Sequence, residues 1–269
     1  MTSEYEIKDG QPFRLILPDQ KRLRQAFDEV MDRAGLVFEK PSSRAGQGIT
    51  RDTTGQLPDI ETYELRADAG LDWLNDGAAD LVIAGQDMLQ EYQARNSGQD
   101  TGVTSILTMD RISACSMWIA ARPEMYIRDF SDLGEMRIAT SYPALLQQLL
   151  KNQNVTSVRI LAQKGGVEST IVAGRADAIF EIVQTGESLK QNGLEKKLLA
   201  FNSCAALVRN TEQGSAPREN LINALTSRIE TALIPSKEEA RPLRAPVERG
   251  ASDQIVVTRD RARPSVSLM

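Results

Sequence analysis

The residues best suited to chemistry in this chain gather behind one apolar stretch. Ala178–Val183 (AIFEIV), apolar except for Glu181, runs into Thr185, Gly186, Glu187 and Ser188 and then Leu189. The stretch is short enough for a buried strand, and residues 189–193 read as helix with a stop at Gly193. A glycine and two hydroxyls where a strand gives way to a helix leave backbone N–H groups pointing outward. With the helix dipole they form an anion site suited to a phosphate. The same residue types also serve as helix N-caps and turn formers with nothing bound, and spacing alone leaves both readings open. The chain contains no histidine, which excludes histidine-based triads, histidine metal sites and the commonest general base. Any reaction here must run on carboxylates, hydroxyls, cations and positioning.

The elements that would position these groups alternate. Residues 13–18 (FRLILP) read as strand, and residues 22–34 as helix, with Leu23, Ala26, Phe27, Val30 and Met31 at helical spacing before Gly35. Residues 41–56, rich in Ser, Gly, Thr and Arg, read as a mobile loop or a crossing hairpin. DIETYELR then reads as strand, AGLDWLNDG as helix, ADLVIAG as strand and QDMLQEYQAR as helix. VTSILTM and SMWIAARP follow as a strand pair crossing between halves. The second half repeats the scheme: strand 136–139, helix 144–152, strand 158–161, helix 167–173, strand Ala178–Val183 and a helix. GAADLVIAGQDML and GRADAIFEIVQTGESL echo each other, each running Gly-x-Ala-Asp, strand, glycine-containing turn, helix. CAALVRN is expected to return to the first lobe, and residues 218–233 to close it with an amphipathic helix. The expectation is two α/β lobes, residues 1–109 plus 200–233 and residues 110–199, with ligands collecting in the cleft at the carboxyl ends of the strands. The tail, 234–269, is rich in Pro, Ser and charge and is expected to be disordered.

Composition bounds the function classes. The chain has 269 residues, 41% hydrophobic and 26% charged, which suits two modest globular domains. No apolar run approaches the roughly 20 residues needed to span a bilayer, and the first residues lack a signal pattern, so the expectation is a cytoplasmic protein with no membrane partner. A formal net charge of −5 argues against general nucleic-acid binding. Cys115 and Cys204 sit far apart in apolar segments, with no metal or redox spacing, and are expected to be buried, reduced thiols.

Several short motifs, in consistent order from about residue 13 to residue 233, resemble the ATP phosphoribosyltransferase family, which opens histidine biosynthesis. RIATSYP, residues 137–143, is similar to the family's strand-to-helix signature. Asp177, Ala178, Ile179, Val183, Thr185, Gly186, Leu189, Asn192, Gly193 and Leu194 agree with its D-A-I-x-D-x-V-x-T-G-x-T-L and following N-G-L pattern. DGAADLVIAGQDML, the RAG of residues 33–35 and the GGVE of residues 165–168 add support. The resemblance implies a two-lobed fold of the periplasmic-binding-protein type II kind with the active site between the lobes. It implies transfer of phosphoribosyl from phosphoribosyl pyrophosphate (PRPP) to N1 of the ATP adenine, with release of pyrophosphate. It puts Gly165, Gly166, Glu168, Glu181, Thr185, Gly186, Glu187, Ser188 and Leu189 on the PRPP side, and Arg22, Arg66, Asp80, Gly85 and Tyr142 on the ATP side. Glu181, Arg22 and Arg66 would contribute to catalysis, with Glu181, which stands where the family carries Asp, facing the ribose or the magnesium ion (Mg2+) on PRPP. Glu187 is tolerable beside a phosphate if it points outward. Homo-oligomers and a separate regulatory subunit similar to a histidyl-tRNA synthetase are the implied partners.

Four departures fall where the nucleotide is expected. The family's Lys-Gly-Arg turn reads Gln20, Lys21, Arg22; its R-x-x-D-I-P-like segment keeps Arg66 but shifts or loses the acid; Ser116 replaces a common Arg; and Val82 replaces a Gly expected near the cleft. A transferase with another heterocyclic acceptor, or a ligand-binding or regulatory paralogue without turnover, are therefore alternatives. The residues after Leu233 are too few for the ferredoxin-like regulatory domain of long-form members, so the layout resembles short-form enzymes.

Overall fold

The computed structural model describes residues 11–40 and 46–234; the tail expected to be disordered falls outside them apart from Ile234. The chain builds two sheets. β1 (Arg14–Pro18), α1 (Lys21–Arg33), β2 (Leu36–Glu39), β3 (Gln47–Asp52), β4 (Ile60–Leu65), α2 (Ala67–Asn75), β5 (Leu81–Gly85), α3 (Gln86–Arg95) and β6 (Val103–Met109) come first. β7 (Cys115–Ala121), β8 (Arg137–Thr140), α4 (Pro143–Asn152), β9 (Arg159–Ala162), α5 (Ser169–Val172), β10 (Ala178–Val183), α6 (Glu187–Gln191) and β11 (Glu195–Ser203) follow, before β12 (Ala205–Asn210) and α7 (Ala216–Ala232).

The first sheet runs β2-β3-β4-β1-β5-β12-β6 and the second β11-β7-β10-β8-β9. In the first, β1 lies parallel to β4 and β5, and β12 is antiparallel to β5 and β6. In the second, β8 lies parallel to β9 and β10, and β7 is antiparallel to β10 and β11. Both sheets thus contain one five-strand arrangement: three parallel strands, a strand running against them, and an edge. The chain passes between sheets twice, from β6 to β7 and, at Cys204, from β11 to β12.

The 41–56 segment resolves in favour of the hairpin: within its described part β3 pairs antiparallel with β2 and β4, and Thr50 and Thr62 hydrogen-bond within the sheet at 2.8 Å. The helix read over 167–173 contracts to the four residues of α5, held between the left-handed Gly166 and Gly174. β11 carries no strand-like alternation, because its pairing with β7 shifts register after Lys196 and again after Leu199, and each shift throws the next side chains onto the other face.

The GxAD echo is a structural repeat. Asp80 Oδ2 accepts the Arg14 backbone N–H at 2.8 Å, and Asp177 Oδ2 accepts that of Arg137 at 2.8 Å. The Asp80 N–H returns a bond to the Arg14 carbonyl at 3.0 Å, and Asp177 to that of Arg137 at 2.8 Å. A guanidinium completes each brace, Arg218 on Asp80 and Arg137 itself on Asp177. The apolar core divides with the lobes: Leu15, Leu17, Phe27 and Leu207 pack in the first, and Met117, Ile138, Leu146 and Phe180 in the second. Cys204 is buried, Cys115 half-buried, and both are free thiols. Among the described residues no helix is long and apolar enough to cross a membrane.

Candidate active site

Two recesses open between the lobes and share Glu181 as a wall. The smaller, about 230 Å³, is lined by Arg22, Glu168, Glu181 and the turn from Gln184 to Leu189. The larger, about 600 Å³, is lined by Gln20, Arg66, Asp68 and Glu91 of the first lobe and by Ser141, Tyr142, Lys164 and Gly165 of the second. Both lie at the carboxyl ends of the parallel strands, where side chains from neighbouring loops converge.

The turn forms because β10 ends at Val183 and Gly186 adopts φ 77°, a left-handed conformation that costs an L side chain about 1–2 kcal/mol. The Thr185 hydroxyl accepts the Glu187 N–H at 3.3 Å, and the Ser188 hydroxyl bonds the Glu168 carboxylate. Glu187 Oε1 accepts from Gln191 along α6 at 3.1 Å, which turns its charge along the helix surface. Leu189 anchors the turn from below, buried against Ile179 and Val183. α6 is only five residues long, so the dipole expected to face the phosphate is small; exposed turn amides and hydroxyls are the donors on offer. Arg22 reaches across from α1, its Nη2 2.6 Å from the Ser113 hydroxyl.

Glu181 is the group most altered by this environment. Its neighbour across β7 is Trp118, and Oε1 accepts the Ser141 N–H at 2.6 Å. Burial pushes its pKa up to about 7, against the Ser141 hydrogen bonds and with help from Glu168 and Asp87. A carboxyl poised near neutrality carries about half a charge at pH 7.

On the other side, α3 carries two carboxylates one turn apart that grip the second lobe. Asp87 accepts the Tyr142 phenol at 2.9 Å and the Ser203 hydroxyl at 2.7 Å. Glu91 accepts the N–H groups of Ala144 at 3.1 Å and Leu145 at 2.7 Å, at the start of α4, and burial raises its pKa. Gly85 precedes α3, and a Cβ there would sit 2.4 Å from Asp87 Oδ1, so the clasp requires glycine. Tyr142 is buried, and burial, with Asp87 and Glu181 nearby, raises its pKa far above the ordinary tyrosine value; it stays a neutral donor.

Asp68 stands at the mouth of the larger recess. Its Oδ1 lies 3.1 Å from the Ala69 N–H and 3.3 Å from Arg66 Nε, and its Oδ2 lies 3.4 Å from Lys164 Nζ on the opposite lobe. Burial pulls its pKa upward, but Ala69, Arg66 and Lys164 outweigh that and hold it below the ordinary value. The Lys164 side chain is 79% exposed and that of Arg66 64%, so each pair contributes under about 1 kcal/mol.

The structure brings together Glu168, Glu181, Thr185, Gly186, Glu187, Ser188, Leu189 and Arg22 around one recess, and Arg66, Tyr142, Gly165 and Glu181 around the other. Gly166 follows at the rim, its carbonyl accepting from Gln163 at 3.0 Å. Asp80 is a correction: it lies at the amino end of β5, about 16 Å of strand away from the cleft end. There it is 12% exposed and committed to Arg14 and Arg218. Val82 is a second correction. It is fully buried in the first-lobe core, packed against α2 at Gly70, and so does not touch the cleft. The acid of the Arg66 segment is present as Asp68. Asp87, Glu91, Ser141 and Lys164 were missed. Asp87 and Glu91 have the i, i+4 spacing of one helix face, a signal that does not reveal what the face meets.

The sequence profile of the ATP phosphoribosyltransferases matches residues 71–231, more than half of the chain. Among solved structures, the ATP phosphoribosyl transferase (HisG:HisZ) complex from Thermotoga maritima matches with a TM-score of 0.63 at 24% identity, covering 82% of this chain and 98% of that one. The alkanesulfonate-binding protein SsuA from Xanthomonas axonopodis pv. citri, bound to MOPS, gives 0.49 at 14% identity, covering 82% and 74%. YhfZ from Shigella flexneri gives 0.49 at 13%, covering 82% and 89%. The fold is the two-lobed periplasmic-binding-protein type II arrangement, which the first of these structures shares. By its match over residues 71–231, the chain belongs to the ATP phosphoribosyltransferase family.

Proposed function

We propose that the protein transfers phosphoribosyl from PRPP to N1 of the ATP adenine, the first step of histidine biosynthesis. The observation that carries this reading is the turn at Gly186 facing Arg22 across a recess whose far wall, Glu181, also borders a larger cavity. The 5-phosphate takes the turn amides with the Thr185 and Ser188 hydroxyls, and the ribose lies against Glu181. ATP takes the larger cavity, with Arg66 beside its phosphates. In the reaction the bond from C1 to the pyrophosphate oxygen breaks, the bond from C1 to N1 forms, and positive charge gathers on the ribose ring between the two events. A preorganised carboxylate next to that charge lowers the barrier, and holding two substrates in line contributes the rest. Histidine is not required.

Glu168 and Glu181 supply two carboxylates to the smaller recess, and among the described residues no cluster of three or more metal-binding side chains occurs. That donor set fits Mg2+, which commonly binds through one or two carboxylates plus substrate phosphates. When bound, the ion neutralises charge on the departing pyrophosphate. Ser188 must release Glu168 to bind the phosphate.

Purified protein supplied with ATP, PRPP, magnesium and pyrophosphatase should form phosphoribosyl-ATP, followed by its absorbance. The assay is run with and without a histidyl-tRNA-synthetase-like subunit, because the Thermotoga maritima structure is a HisG:HisZ complex. Loss of product in a Thr185→Ala, Gly186→Ala variant supports the phosphate turn. PRPP binding without product in either condition refutes ATP as acceptor and favours the second reading, a transferase with another heterocycle, to which Gln20 at the cavity wall already inclines.

A further inference from the structure

We propose that Asp68 is a placeholder for an acceptor phosphate and that Lys164 determines specificity for a nucleoside triphosphate, leaving Asp68 for the polyphosphate when the acceptor binds. The inference rests on the functional reading above and deepens it. Arg66 and Lys164 come from opposite lobes and meet on the two oxygens of one carboxylate, Arg66 Nε 3.3 Å from Oδ1 and Lys164 Nζ 3.4 Å from Oδ2. All three side chains line the larger cavity. Two cations held by one carboxylate across a cleft match a phosphate-bearing acceptor, and cations that come from opposite lobes can part to follow a polyphosphate along the cleft; a lone heterocycle has no use for either.

Three of the cavity's other charges are committed, and the fourth, Asp19, is an exposed carboxylate on its wall. Glu91 holds the Ala144 and Leu145 amides, Glu181 holds the Ser141 amide, and Arg95 pairs with Asp72 at 3.0 Å. Asp68 can release Lys164 and still keep Arg66 and the Ala69 N–H, so the exchange strands no charge. Lys164, in contrast, pairs with no other carboxylate among the described residues. It also has room to move. Gly165 and Gly166 follow it at φ 77° and 59°, and the position of a Gly165 Cβ is open space.

Calorimetric titration of the full chain with ATP, AMP, adenosine and PRPP tests this in wild type, Lys164→Met, Lys164→Arg and Asp68→Asn, each checked for an unchanged melting curve. Lys164→Met should weaken ATP about ten-fold while moving adenosine and PRPP less than about two-fold, and Lys164→Arg should restore ATP. In turnover, Lys164→Met should raise the KM for ATP and leave kcat in place. Asp68→Asn should tighten ATP, because the competing carboxylate is gone; a mere brace between the lobes predicts the opposite sign. Equal losses for ATP and adenosine in Lys164→Met, or weaker ATP binding in Asp68→Asn, overturn the inference while leaving the transferase reading standing. Wild-type protein that binds PRPP but not ATP overturns both the inference and ATP as acceptor.

Discussion

Replacing Glu181 by Gln should change how stability depends on pH, and by a calculable amount. In the folded protein burial holds the carboxyl's pKa at about 7, against an ordinary 4.5. Between those values the folded state keeps a proton that the unfolded chain has released. Stability of the wild type therefore falls as pH rises through this window. Each pH unit is worth about 1.4 kcal/mol, so the full effect is ~3 kcal/mol. Glu91 shifts in the same direction but is present in both proteins. Asp52, Glu61, Asp177 and Glu219 are shifted downward and lose their stabilising contribution only in more acid solution. Gln keeps an acceptor oxygen for the Ser141 N–H and cannot ionise. Urea unfolding at pH 5, 6, 7 and 8 should show the Gln variant gaining on the wild type by about 1 kcal/mol per unit from pH 5 to 7 and levelling off by pH 8. Parallel curves for the two proteins would mean that Glu181 ionises as an exposed carboxylate, and the account of the cleft's electrostatics would be wrong.

Three other perturbations have defined outcomes. Gly186→Ala should lower stability by about 1–2 kcal/mol in thermal melts and raise the KM for PRPP, because φ 77° must survive a Cβ. Asp80→Ala should destabilise by about 3 kcal/mol, since it takes from Arg218 its carboxylate partner and from the Arg14 N–H its acceptor, yet leave both KM values unchanged from its place at the far end of β5. Tyr142→Phe removes one of two hydroxyls bonded to the buried Asp87 and should cost about 1–3 kcal/mol by denaturant titration.

How much was legible in the sequence depended on the range of the interaction. α3 was read residue for residue because Gly85 and the polar Asn96 stretch punctuate it, and β10 because AIFEIV is bounded by an Asp and a Gly turn. β11 escaped because Glu-Lys-Lys and two register shifts erase its alternation. The Gly186 turn was visible as local chemistry, whereas Glu91 on the Leu145 amide joins residues 54 positions apart and leaves no local trace. Asp80 and Val82 were misplaced for one reason: motif order gives proximity along the chain, and only strand direction decides which end of β5 faces the cleft.

The position of β12 has a consequence for how the protein is made. This strand, buried at all six positions, stands between β5 and β6 in the first sheet and pairs with both, yet it follows the entire second lobe in the chain. During synthesis from the N-terminus, β5 presents an open hydrogen-bonding edge, and β6 has no sheet to join, until Asn210 has left the ribosome. The second lobe, complete at Ser203, can close first. The N-terminal lobe is thus the last to finish folding, and in that interval its unpaired β5 edge is the part of the nascent chain most exposed to mispairing.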